Sequence, residues 1–364
     1  MKILYVTTVG ITMRFFKNFI KDLIGCGHIV DIATNEAEFK VAEDYHQWGC
    51  KIYPISTSRS PLNTGNIKAV KELREIVETG KYDIVHCHTP IAAACTRLAC
   101  RNARKNGTRV IYTAHGFHFY KGAPKANWLL FYPVEKLCAK WTDLLITINQ
   151  EDHTLAKEKL KAKRIEYVPG VGIDLDKFVR SELDTAAKRR ELGIPLDAKL
   201  LLSVGELNAN KNHETIIKAI ADNDQLYYII AGEGEKREAL IALAEELKVS
   251  DRVKLLGFRN DIRELCAAAD IFAFPSFREG LSVALMEAMA SGLPCVVSRI
   301  RGNVDLIDEN GGALFIPSSE IGCKKAIEQV LSSNGKELGA YNAEKVKQFS
   351  YEKVLSQMKE LYGV

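Results

Sequence analysis

Short apolar runs alternate with helix-length amphipathic stretches from the start of this chain. Strands are predicted at residues 3–7, 29–33, 51–54, 84–86, 109–113, 144–148 and 165–168, with helices at 14–24, 66–78, 92–106 and 152–160 between them. Apolar strands separated by helices of this length imply a parallel sheet with right-handed crossovers, covered on both faces. The pattern then restarts: strands are predicted at 200–204, 226–231, 253–256, 271–274, 295–298 and 313–315, and helices at 214–220 and 236–247. The chain is therefore read as α/β, with two Rossmann-like, doubly wound domains. Residues 174–192 are charged and carry no strand pattern, which makes them the expected linker. The expected division is 1–178, an acceptor-binding domain, and 179–350, a nucleotide-sugar-binding domain. The amphipathic helix 351–362 within 351–364 is expected to rejoin the first domain. Two such domains facing each other would leave a cleft at the carboxyl ends of their strands, where open α/β sheets bind ligands.

Composition narrows the class. A chain of 364 residues, 47% hydrophobic and 26% charged, suits two soluble globular domains. No apolar run is long enough to cross a bilayer, and Met1-Lys2 leads directly into the first strand, so neither a spanning helix nor a secretory leader is expected. The nine cysteines form no CxxC pair and lie mostly in apolar segments, as reduced core thiols would in a cytoplasmic protein. The net charge of +4 hides an asymmetry. Residues 1–180 carry 27 Lys/Arg against 18 Asp/Glu, and residues 181–364 carry 23 against 28. A basic front half suits an anionic partner such as a phosphate-bearing acceptor or a membrane surface, and equally a solvated surface of uneven charge. Nucleic acid is not an expected partner.

The richest segment is 274–294, FPSFREGLSVALMEAMASGLP. A strand ends near Phe274, a glycine-containing loop follows, and a helix begins near Ser282. The amides of Gly280, Leu281, Ser282 and Val283 would then point at a ligand, and a helix N-terminus favours phosphate. Glu279 and Glu287 bracket that site. Carboxylates accept hydrogen bonds from sugar hydroxyls, so phosphate donors between two carboxylates fit a nucleotide-sugar.

Glu279 and Glu287 form the E-x7-E arrangement of retaining glycosyltransferases of the GT-B fold, and the whole segment resembles glycosyltransferase family 4. The resemblance implies that Glu287 holds the ribose and Glu279 the donor hexose. It also implies no metal, no cofactor, and a nucleotide-sugar substrate, with a UDP-sugar favoured. Residues 203–213 resemble the family's glycine loop, with Gly205 at the turn and Lys211 as the diphosphate lysine. Glu206 stands where the family has an arginine, leaving Lys211 to act with Arg278, Arg259 or the helix N-terminus alone. Residues 256–261 match the base-binding loop, with Phe258 and Arg259 near the base edge. His115, in the His115-Gly116 pair, matches the histidine at the reaction centre, and His118 is a second candidate. Gly10, after the first strand, is expected to let backbone approach a ligand. His86 and His88 read as cleft wall rather than metal ligands. Asp174-Leu-Asp176, formally a metal-binding DxD, reads as structural.

Two segments, 14–24 and 121–140, mix aromatic and basic residues at helical spacing. Either they dock on anionic headgroups or they are core faces with snorkelling lysines. The resemblance implies an acceptor that is a sugar or a lipid-linked sugar in bacterial surface polysaccharide synthesis, with possible peripheral contact at the inner face of the plasma membrane. A nucleotide-sugar 2-epimerase and a non-catalytic nucleotide-sugar-binding subunit are the rival readings.

Overall fold

The computed structural model describes residues 1–178 and 185–364. The chain divides into two compact units, Met1–Val171 and Gly172–Val364. The sequence-predicted junction at 178/179 borders residues outside the described set.

Each predicted strand forms. In the first unit these are β1 (Lys2–Val6), β2 (Ile29–Thr34), β3 (Ile52–Pro54), β4 (Ile84–His88), β5 (Arg109–Ala114), β6 (Leu144–Thr147) and β7 (Arg164–Tyr167). They pair in parallel in the order β3-β2-β1-β4-β5-β6-β7. In the second unit β8 (Lys199–Val204), β9 (Leu226–Ala231), β10 (Val253–Gly257), β11 (Ile271–Phe274), β12 (Cys295–Ser298) and β13 (Gly312–Phe315) pair in parallel as β10-β9-β8-β11-β12-β13. The strand order reverses at β1/β4 in one sheet and at β8/β11 in the other. At such points neighbouring crossovers run to opposite sides and leave a crevice at the carboxyl ends.

The strands are buried on both faces, which explains their continuous apolar runs: Ile3, Leu4, Tyr5 and Val6, like Leu200, Leu201 and Leu202, are fully covered. Eight of the nine cysteines are buried and only Cys26 is exposed.

Two expectations change. Within the expected linker, Thr185–Glu191 is a helix tied into the second unit. Arg189 is buried there and donates to Asp270 at 2.6 Å and to the Ala198 and Ala268 carbonyls. Its charge hid a packing role. The 14–24 segment is a 3-10 turn, Gly10–Phe16, followed by the helix Lys17–Gly25, and Phe16, Ile20 and Leu23 are buried in the core. That apolar face is therefore a core face.

Candidate active site

The strongest constellation lies at the β8/β11 reversal. The loop after β8 carries Gly205 and Lys211, and the loop after the adjacent β11 carries Glu279. Lys211 Nζ donates to Glu279 Oε1 at 2.8 Å and sits 4.6 Å from the centroid of the Phe274 ring. Both side chains are mostly covered, so the pair is screened less than a surface pair would be. Gly205 has φ 155, and a Cβ there would stand 3.1 Å from Lys211 Cε; its absence leaves room for the lysine stem.

The two loops are stitched together. The Phe277 amide donates to the Asn210 carbonyl at 2.8 Å, Asn210 Nδ2 to the Arg278 carbonyl at 2.9 Å, and Asn212 Nδ2 to the carbonyls of Pro275 and Pro317. Asn208 Oδ1 accepts from the Lys211 amide. Beneath the loop, His213 Nδ1 meets the Tyr228 hydroxyl at 2.9 Å, and that hydroxyl donates to Ser203 Oγ. Burial lowers His213 to about 4, so it is neutral near pH 7.

The helix that follows Glu279 is Val283–Ala290. Ser282 has extended φ/ψ and its hydroxyl accepts from the Leu285 amide at 3.3 Å, a side-chain N-cap. The amides of Val283 and Ala284 have no carbonyl four residues back within the helix. Leu285, Met286, Ala288 and Met289 anchor the helix in the core. Glu287 is the fifth residue of this helix, a little over one turn from its N-cap, and no described side chain bonds its carboxylate; burial raises its pKa to about 7. Three glycines hold neighbouring strand ends in backbone contact. A Cβ on Gly232 would fall 1.8 Å from the Gly205 oxygen, one on Gly234 2.4 Å from the Leu207 oxygen, and one on Gly302 2.1 Å from the Gly280 oxygen.

Arg301 was missed by the sequence reading. It is 6% exposed, and its Nε donates to the Glu279 carbonyl at 3.2 Å. No motif position marked it, because it lies 22 residues past Glu279, after the next strand.

The other predicted residues separate. Glu206 is exposed and accepts from Asn208 Nδ2 at 2.8 Å. Arg278 is exposed beside Glu279. Phe258 is 68% exposed at the end of β10. Arg259, next to the β10 end, is tied to Asp261 at 2.7 Å and to Glu191 at 3.3 Å. Asp174 is salt-bridged to Lys177 at 3.1 Å, as a structural pair.

In the first unit the β1/β4 reversal gathers histidines. His88 Nδ1 lies 3.1 Å from His115 Nε2, His86 Nε2 lies 2.8 Å from Thr113 Oγ1, and the His86, His88 and Phe16 rings pack 4.1 Å apart. Burial lowers His86 to about 3, His115 to about 4 and His88 well below its usual value, so all three are neutral near pH 7. Beside them Thr8 and Thr89 hydroxyls meet at 2.6 Å, and Thr89 holds φ 64, strained for a β-branched residue. A cavity of about 350 Å³ opens here, lined by Thr12, Arg59, Thr89, His118 and Phe131 among others. Gly10 packs closely against the chain itself. A Cβ there would stand 2.2 Å from the Phe39 carbonyl oxygen, so the glycine admits the chain's own 39–41 segment.

Residues 184–350 match the family of glycosyl transferases group 1, and residues 13–177 match Glycosyltransferase Family 4. The chain is 38% identical over 321 residues to the protein EpsD of Bacillus subtilis, spanning 85% of this chain and 84% of that one. The chain belongs to glycosyltransferase family 4. This glycosyltransferase is also 31% identical over 276 residues to the Escherichia coli UDP-Gal:alpha-D-GlcNAc-diphosphoundecaprenol alpha-1,3-galactosyltransferase, covering 72% of this chain and 70% of the relative. Among solved structures, sucrose-phosphate synthase from Thermosynechococcus elongatus superposes with a TM-score of 0.83 at 21% identity, over 100% of this chain and 98% of that one. Anabaena HepE in complex with UDP-glucose gives 0.82 at 20% identity, over 100% and 99%. The glycosyltransferase has the GT-B fold. No helix among its described residues is long and apolar enough to cross a membrane.

Proposed function

We propose that this glycosyltransferase moves a hexose from a UDP-sugar to a hydroxyl of a lipid-linked sugar acceptor, with retention of configuration and without a metal, at the inner face of the plasma membrane. The observation that carries the reading is the Lys211–Glu279 pair at a strand-order reversal, one loop away from the capped N-terminus of Val283–Ala290. The activity for which the Escherichia coli relative is named supports the donor and acceptor class.

In this reading the donor diphosphate replaces Glu279 as the partner of Lys211, and the amides of Gly280, Leu281, Ser282 and Val283 take its remaining oxygens. Glu279, released, accepts from the hexose, and Glu287 from the ribose. As the bond from the anomeric carbon to the phosphate oxygen breaks, Lys211 and these fixed amides stabilise the charge that develops. The acceptor oxygen bonds to the same carbon, and its proton passes to the departing phosphate oxygen. His115 contacts the sugar, and the cavity beside Thr89 and His118 in the first unit receives the acceptor.

The test is incubation of the enzyme with UDP-sugars and an undecaprenyl-diphosphate-linked sugar, with and without EDTA, and proton NMR of the product anomer. Retained configuration and an EDTA-insensitive rate are expected. Consumption of donor without acceptor would make the enzyme an epimerase, and tight donor binding without turnover would make it a binding subunit.

A further inference from the structure

The helix Lys125–Ala139 is apolar on two faces, and the fold uses only one of them. Its inner face carries Trp128, Phe131, Tyr132, Cys138 and Ala139 against the first unit's core. Its rotation is fixed by Glu135, which is buried and bonded to the fully buried Arg97 of the helix Pro90–Ala99; that guanidinium also lies 4.2 Å over the Tyr112 ring. Breaking a buried pair of this kind is strongly destabilising, so the helix has no freedom to roll. Residues 126, 129, 130, 133, 134 and 137 are therefore held outward along three turns. Leu129 is 79% exposed, and Leu130, Val134 and Leu137 are each close to half exposed. Pro133 also faces outward.

Charge identifies what covers this strip. Lys121, Lys125, Lys136 and Lys140 are all exposed on the same segment. The single acidic residue among 121–140 is Glu135, which is buried, so the outer surface of the segment bears apolar and cationic groups alone. At 15 residues the helix is too short to span a bilayer. A continuous apolar strip edged by lysines matches an interfacial helix lying in the plane of anionic headgroups. Phe131, on the same helix, lines the cavity beside Thr89.

We infer that Lys125–Ala139 is a membrane-docking helix, which seats the first unit on an anionic lipid surface and brings its cavity to the level where a lipid-linked acceptor presents its head. The inference rests on the proposed acceptor class and names the surface that meets it.

Flotation of the full chain with vesicles tests it, in the absence of donor and acceptor, so that the outcome is independent of the transferase reading. Binding is expected to phosphatidylglycerol-containing vesicles and to be weak to phosphatidylcholine alone. Lys125→Ser/Lys136→Ser/Lys140→Ser should weaken binding to anionic vesicles roughly 100-fold, from about 1 kcal/mol per lysine. Leu129→Ser/Leu137→Ser should weaken it at least about tenfold. Both variants change exposed positions and should keep the parent's unfolding temperature, while Phe15→Ser, at an exposed aromatic outside this helix, should bind like the parent. Both helix variants should lose rate with a lipid-linked acceptor and keep it with a soluble acceptor analogue. Unchanged flotation of either helix variant would overturn the inference. So would a parent that fails to float but forms a dimer dissolved by Leu129→Ser/Leu137→Ser, which would make the strip a subunit contact.

Discussion

Lys211 is bonded to Glu279 in the free protein, and in the proposed mechanism donor binding exchanges that carboxylate for a diphosphate at the same ammonium. Glu206 is bonded to Asn208 and Arg259 is held by Asp261 and Glu191, so the proposed mechanism relies on Lys211 and, beside Glu279, the exposed Arg278 for side-chain cations. Lys211→Ala is expected to lower kcat by roughly 10²- to 10³-fold, the usual effect of losing one preorganised donor; near-normal turnover would remove it from the mechanism. Glu287 gives a pH dependence with a defined sign. Its pKa, raised to about 7, means that below that pH it is mostly protonated, whereas ribose hydroxyls bind the ionised form. Donor affinity should therefore rise with pH up to about 7, by up to about tenfold per unit on the acid side, and flatten in Glu287→Gln. Titration calorimetry with UDP across this range checks it. Arg301, bonded to the Glu279 carbonyl, is a positioning residue in this account. Arg301→Gln should raise the donor KM more than it lowers kcat, and Arg301→Lys should rescue part of the loss. These residues differ in how visible they were. Glu279, Glu287 and Lys211 stand in a strand-loop-helix context that announces itself, whereas Arg301 becomes part of the site only when β12 brings the chain back beside β11.

At the scale of elements, period and punctuation carried most of the information. The strands were legible because both faces are buried, so each reads as an uninterrupted apolar run. The helix Thr185–Glu191 was not, because its anchor is a buried arginine whose partners at 198, 268 and 270 are remote or unmarked. Gly10 has a packing reason that the sequence did not show. A glycine after a first strand suggests ligand approach, and only the fold shows the Phe39 carbonyl occupying that space. The membrane-like segments divided the same way: similar compositions, one core face and one exposed strip. The capped helix Val283–Ala290 yields a prediction of its own. Ser282→Ala removes the hydrogen bond to the Leu285 amide and should lower stability by about 1 kcal/mol. Chemical denaturation measures the loss, and UDP binding should weaken alongside it. Gly232→Ala should be more damaging, since its Cβ would meet the Gly205 oxygen and displace the glycine loop.

For the whole molecule, buried neutral histidines dominate the acid response. His86, His88, His115 and His213 all have native values below the ordinary one near 6.5. Between that value and about 4 the unfolded chain binds more protons, so stability should be full above about 6.5 and fall as pH drops below it. Glu287 has the opposite sign between 4.5 and about 7 and offsets part of this in the second unit. Denaturant midpoints at neutral and mildly acidic pH should show the net loss. The central claim is more local: an activated sugar is held where the loops after β8 and β11 meet. A crystal structure of the enzyme soaked with UDP tests that claim most directly. The account predicts a diphosphate oxygen within about 3.2 Å of Lys211 Nζ and of the amides at Leu281–Val283, with Glu287 on the ribose and the Lys211–Glu279 bond opened. UDP bound elsewhere, with Lys211 still on Glu279, would contradict it.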